Sequence, residues 1–311
     1  MSTVIAASFY KFVELPDYVA LRAPLLAHCE SCDVKGTILL AAEGINGTIA
    51  GAPQNVLAVL DFLRSDARLR DLEHKESFAP AVPFYRMKVR LKREIVAMGV
   101  PGLSPALMAG TYVKSEAWNA LLDEPDVVVI DVRNDYEVSL GTFPGALNPC
   151  TRSFSELPEW LRQQPVLRDK PRVAMFCTGG IRCEKSTALL RSQGFAEVYH
   201  LQGGILKYLE TIAEDRSRWQ GECFVFDERV AVGPGLKPGH YELCRSCRQP
   251  IGEQEKASPF YVAGVSCSKC HTARDEIKKQ GLRERQRQVE LARRHNRPHI
   301  GVRQAAKKSA K

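Results

Sequence analysis

"VAMFCTGGIRCEKSTALL", residues 173–190, decides the fold of the middle of this 311-residue chain. Val173–Phe176 is an apolar run of strand length. From Glu184 onward the composition is helix-like, with Gly194 as a plausible stop. Between them stands Cys177-Thr-Gly-Gly-Ile-Arg182. Gly179 and Gly180 let the backbone fold back so that its N–H groups converge on one point. The following helix directs its positive end there, and Arg182 adds a fixed cation. All three favour a thiolate over a thiol, so Cys177 is expected to titrate below the ordinary ~8.5 of a free cysteine. The same cradle suits a persulfide or an oxyanion.

Working outward, short apolar runs alternate with helical segments from 112 to about 212. "DVVVID" (126–131) and "RVAMFC" (172–177) read as buried parallel strands, and "AEVYHLQGG" carries another. "SEAWNALL", "KSTALLRSQ" and "GILKYLETI" read as helices. The expectation for 112–212 is an α/β domain whose loops gather at the strand C-termini, where open sheets bind ligands. A Gly/Pro-rich stretch, "GVPGLSPALMAGTYV", reads as the linker before it.

Residues 1–95 open with the strand-like "VIAASFYKF", followed by a helix over 17–31. "GTILLAAEGINGTIAG" (36–51) reads as two strands around a turn. "PQNVLAVLDFLRSD" (53–66) has helical spacing, and "FYRMKVRLKREIVAM" alternates as a strand. This β-α-β-β-α-β order predicts an α+β sandwich of the ferredoxin or acylphosphatase type. On its last strand Arg86, Lys88, Arg90 and Lys92 share one face, and Met87, Val89 and Leu91 the other. Cations repeating at about 7 Å can follow a phosphate backbone, which makes these four candidate RNA contacts. The alternative is an edge strand kept soluble by charge.

The remaining segment, 213–311, contains Cys244-x2-Cys247 and Cys267-x2-Cys270. Two such knuckles supply four soft ligands for tetrahedral zinc, with no position left open for catalysis, so a structural zinc is expected. From His271 to the end there are 13 Lys and Arg against 4 Asp and Glu, so the whole basic excess of the chain, net +8, lies in this tail. That asymmetry fits a polyanionic partner, or a solvated extension. A third pair, Cys29-x2-Cys32, has no second knuckle and reads as helix packing. Cys183, six positions after Cys177, reads as a small inward-facing residue ahead of a resolving thiol.

Hydrophobic content of 44% and charged content of 26% are those of a soluble globular protein. No apolar run approaches the ~20 residues of a membrane span, and the N-terminus lacks the features of a secretory signal. A cytoplasmic address with reduced thiols is expected, where ten cysteines suggest metal or catalysis before disulfides. No G-x-G-x-x-G follows a strand, so no redox cofactor is identified.

Three stretches carry a resemblance. "VVVIDVRNDYEVSLGTFPGALNP" (127–149), "CTGGIRCEKS" (177–186) and "VYHLQGGILKYL" (198–209) resemble a rhodanese domain, with Asp131, Arg133 and Glu137 matching its early motif. The six-residue loop is similar to that of the sulfur-handling rhodaneses, which disfavours phosphatase chemistry. "LLAAEGINGTIAG" (39–51) and "WQGECFVFDERVAV" (219–232) extend the resemblance to the rhodanese-domain bacterial tRNA uridine hydroxylases. That resemblance implies oxygen-dependent formation of 5-hydroxyuridine at the wobble position of tRNA. It makes Cys177 the essential residue, with Arg182 closing its loop. The alternative is a sulfurtransferase carrying a persulfide on Cys177.

Overall fold

The protein is described by a computed structural model over residues 4–295; the tail from Asn296 lies outside the described residues. Its first part runs β1 (Val4–Phe12), α1 (Tyr18–Ser31), β2 (Lys35–Ala41), β3 (Gly44–Gly51), α2 (Pro53–Arg64), β4 (His74–Ala79) and β5 (Met87–Leu91). The strands form one sheet in the order β4-β1-β3-β2-β5, antiparallel except for the β2–β5 pair. Period-two alternation sends Ile5, Ala7 and Phe9 of β1 into a core with Leu25 and Cys29 of α1 and Val56, Val59 and Leu60 of α2. Ser8, Tyr10 and Phe12 are left on the opposite face.

This is the expected sandwich, with one strand placed differently. "HKESFA" (74–79) pairs with β1 and supplies the fourth strand of the β-α-β-β-α-β order. Its polar composition hides it from a periodicity reading. The alternating segment after it is an added strand that pairs only with β2, at the sheet edge. The strand spans Met87–Leu91, so Arg86 and Lys92 fall outside it and the four cations do not form one row along the strand. Arg90 and Lys92 are exposed, as is Leu91 at the end of the strand, although Val89 on the same face is buried.

The second part runs α3 (Pro105–Met108), β6 (Thr111–Val113), α4 (Ser115–Leu122), β7 (Val127–Asp131), α5 (Asp135–Val138), β8 (Gly141–Thr142), α6 (Leu157–Gln163), β9 (Arg172–Phe176), α7 (Ile181–Ser192), β10 (Val198–Leu201) and α8 (Gly204–Thr211). Strands β6, β10, β9 and β7 form a parallel sheet in that order. The stretch expected to be a linker thus contributes α3 and an edge strand. Two short antiparallel pairs follow: β11 (Gln220–Gly221) with β8, and β12 (Cys223–Phe224) with β13 (Ala231–Val232). Trp219 enters a core of edge-to-face aromatics with Phe143 and Phe176.

By contact density these elements form one unit, Met1–Pro83 with Met87–Gly239. The other unit is Phe84–Arg86 with His240–Lys311. It holds the hairpin β14 (Glu242–Leu243) and β15 (Pro250–Ile251), the turn α9 (Glu253–Lys256) and the basic helix α10 (Glu276–Arg294). Asp275 caps α10 by accepting the Lys278 N–H at 2.7 Å. No helix among the described residues is long and apolar enough to cross a membrane.

Candidate active site

Phe176 ends β9 and Ile181 begins α7, so the loop is as short as its glycines permit. Gly180 sits at φ +105°, outside the range an L side chain adopts easily, and donates its N–H to Cys177 Sγ at 3.2 Å. The start of α8 locks the loop from the other side: the N–H groups of Ile205 and Leu206 donate to the carbonyls of Cys177 and Thr178 at 3.0 and 3.1 Å. Gly204 makes that approach possible, since a Cβ there would lie 2.5 Å from the Cys177 oxygen.

Burial pushes the Cys177 thiol up. A hydrogen bond from Cys183, the Arg182 charge, and the N–H groups of Cys183 and Gly180 outweigh it, and the thiol falls to about 5. Burial and the neighbouring thiolate push Cys183 the other way, so it stays a thiol and donates. The inward-facing role expected for Cys183 therefore includes a contact with Cys177.

Arg182 acts on the thiolate through its charge. Its hydrogen bonds go elsewhere: Nη1 and Nη2 each donate to Glu137 at 2.7 Å. Glu137 is fully buried; burial raises its carboxyl, but the charge and hydrogen bonds of Arg182 overcome this and hold it below the usual carboxylate range. Asp131 and Arg133 form a second buried pair, 2.6 Å apart, with Arg133 also bonding the carbonyls of Glu137 and Gly141. These motif residues build the wall that holds Arg182 in place.

The cradle does not open to solvent. Cys177 is 0% exposed, packed in one core with Ile130, Val132 and Cys183, and residues of β1 and β4 lie against the glycines of its loop. The Tyr10 hydroxyl lies where a Cβ on Gly180 would approach to 2.7 Å, and Lys75 donates to the Gly179 carbonyl at 2.8 Å. Tyr10 also donates to Glu184 of α7 at 2.8 Å. Deeper along α7, Lys185 is buried and reaches Glu43 at 2.9 Å, Glu94 at 2.5 Å and the Val96 carbonyl at 2.9 Å. Phe226 stands 5.9 Å from the Arg182 guanidinium, and Trp219 stands 5.0 Å from that of Arg133. The stretch 39–51 thus reaches the helix that follows the loop, and 219–232 reaches the arginines around it. Tyr10, Lys75 and Glu184 carry no sequence signal, since each gains its meaning from a partner about a hundred or more positions away.

In the other unit the four cysteines expected to bind metal do come together. Cys244, Cys247, Cys267 and Cys270 have their sulfurs within 4.8 Å of one another, with pairs at 3.7, 3.8 and 3.9 Å. A tetrahedron with ~2.3 Å zinc–sulfur bonds has edges of roughly 3.8 Å, so the spacing fits a tetrathiolate ion and is far too long for disulfides. His271 is stacked on Phe260 and stands outside the cluster. Cys29 packs in the first core, where burial pushes its thiol up to about 12, consistent with packing and not redox chemistry.

The comparisons with known proteins agree with this architecture. Residues 4–95 match the model of the UPF0176 acylphosphatase like domain, and residues 114–211 match that of the rhodanese-like domain. The chain is 64% identical over 306 residues to the tRNA uridine(34) hydroxylase of Albidiferax ferrireducens, covering 97% of this chain and 96% of that one. It is 64% identical to the protein of that name from Acaryochloris marina, covering 97% of each. To that of Teredinibacter turnerae it is 55% identical, covering 99% of this chain and 96% of the other.

Proposed function

The chain belongs to the tRNA uridine(34) hydroxylase family, and from that premise we propose that it hydroxylates the wobble uridine of tRNA, forming 5-hydroxyuridine with molecular oxygen as co-substrate. The observation that carries the site assignment is the enclosed Cys177 thiolate, stabilised against its burial by the Cys183 thiol, two backbone N–H groups and the Arg182 charge. Cys177 is the essential residue in this proposal. Arg182, fixed by Glu137, supplies the charge that keeps it anionic. The relatives' names favour hydroxylation over sulfur transfer, although the cradle also suits a persulfide on Cys177 as the working form.

The thiolate cluster in the C-terminal unit would hold one structural zinc, since four thiolates leave no open coordination position. The basic helix α10 and the edge-strand cations Lys88 and Arg90 would contact tRNA phosphates, with Arg86 and Lys92 contributing from the residues that flank the strand. Acting on tRNA, the enzyme would work in the cytoplasm. The test is tRNA nucleoside analysis in cells lacking their own enzyme. Complementation by this chain should restore 5-hydroxyuridine and Cys177→Ser should not. Restoration of a thiolated base in its place would establish the sulfurtransferase.

A further inference from the structure

A cleft of about 670 Å³ lies beside the loop, within the range of nucleotide-sized sites. One wall is β1 with Lys75 of β4; the other is Tyr112, the start of α4, and Glu184 of α7. Resting on the hydroxylase reading, we propose that this cleft takes one unstacked uridine. Glu184 accepts its N3–H, and the start of α4 holds an adjoining phosphate.

Glu184 is 9% exposed, lines the cleft and accepts hydrogen bonds from Tyr10, at 2.8 Å, and from Tyr112. A carboxylate offers about four acceptor directions. Two are taken by phenols, which leaves others for a ligand in the cleft; burial raises the Glu184 carboxyl while the bonds from Tyr10 and Tyr112 pull it back, and in its ionised form it has nothing to donate. Uracil presents an N–H at N3, whereas cytosine presents a lone pair there. At that position the contact favours uracil, since a carboxylate facing cytosine N3 meets a lone pair. Tyr112 is 49% exposed and braced edge-on by His200 at 4.2 Å, which leaves a ring for a base to stack on. Tyr10 joins this end of the cleft to Gly180 beside Cys177.

The phosphate end rests on a separate observation. Ser115 is 3% exposed and lines the cleft, and its hydroxyl has no hydrogen-bond partner among the described residues. A buried hydroxyl without a partner is costly, and a ligand oxygen would satisfy it. Ser115 is the first residue of α4, an eight-residue helix with no side-chain cap, so its N-terminal N–H groups point the same way. Lys114 adds an exposed cation beside them.

The test uses the full chain and two anticodon stem-loop RNAs that differ only in uridine or cytidine at the wobble position, at one salt concentration. Wild type should prefer the uridine RNA by roughly tenfold, as a base-reading contact supplies. Glu184→Gln can donate to cytosine N3, and the preference should fall to about parity. Ser115→Ala should weaken both RNAs equally, by about threefold, without lowering thermal stability. Should Glu184→Gln fail to fold, Tyr112→Ala carries the test, with both RNAs about tenfold weaker through lost stacking. Folded Glu184→Gln with its preference intact, or Tyr112→Ala with unchanged affinity, overturns the uridine pocket. Unchanged affinity in Ser115→Ala overturns the phosphate site. Wild type that binds neither RNA overturns the tRNA reading and the cleft together. Wild type that makes 5-hydroxyuridine with a preference indifferent to Glu184 overturns the cleft alone.

Discussion

Cys177 shows two opposed effects with a definite winner. Burial alone would raise its thiol, yet the Cys183 hydrogen bond, the Arg182 charge and two backbone N–H groups bring it to about 5. Thiolate ultraviolet absorbance, taken as wild type minus Cys177→Ser, should therefore titrate with a midpoint near 5; a midpoint near the ordinary ~8.5 contradicts the cradle. The sign for stability follows. The folded pKa is depressed, so the thiolate's contribution is complete above about 9 and is lost as pH falls through about 5. Thermal unfolding of Cys177→Ser should depend less on pH across that window than wild type. Arg182→Lys keeps a cation but loses the paired bonds to Glu137, so the midpoint should rise; an unchanged midpoint would assign the effect to Cys183 and the backbone. Cys177, Arg182 and the glycines were legible in sequence because their cooperation is local. The role of Glu137 in holding Arg182 was not, since 45 positions separate the two.

Helix α7 carries the loop and also ties the two sheets together. Every residue from Arg182 to Leu190 is buried, so its polar composition reflects partners on all sides and not a solvent face. Lys185 is the clearest case, held between Glu43 and Glu94. Removing one partner of a buried ion pair costs about 3 kcal/mol. About a quarter of each glutamate side chain is exposed, which puts Lys185→Met at the lower end of such losses. Denaturant unfolding of that variant should show this loss, with faster alkylation of Cys177 as the covering strands loosen. Wild-type stability would mean the clamp is incidental. Element order was readable here because hydrophobic spacing reports it. Strand β4 was missed because its binding to β1 is mostly backbone, and its side chains face the rhodanese loop and solvent.

At the scale of the whole molecule, three chemistries occupy separate parts of the chain. The thiolate loop lies under the N-terminal sheet, the sulfur tetrahedron in the C-terminal unit, and the basic excess in the sequence that follows the last of its cysteines. Purified protein should contain about one zinc per chain, and chelation should unfold the C-terminal unit before the other; metal-free protein with unchanged unfolding contradicts this. Deleting residues 272–311 should reduce the salt dependence of tRNA binding, because fewer counterions are released, while leaving the choice of base intact. Changing Lys88, Arg90 and Lys92 to glutamate tests the edge strand separately, and overlapping salt curves would reduce both features to solvated surface. Spacing made the zinc ligands and the tail legible, because neither depends on long-range packing. The central claim is that the enclosed Cys177 thiolate serves hydroxylation of the wobble uridine. It is tested most directly by mass spectrometry of tRNA nucleosides from a strain lacking its own enzyme, carrying either this chain or its Cys177→Ser variant. The account predicts 5-hydroxyuridine with the first and none with the second; equal amounts with both, or none with either, would contradict it.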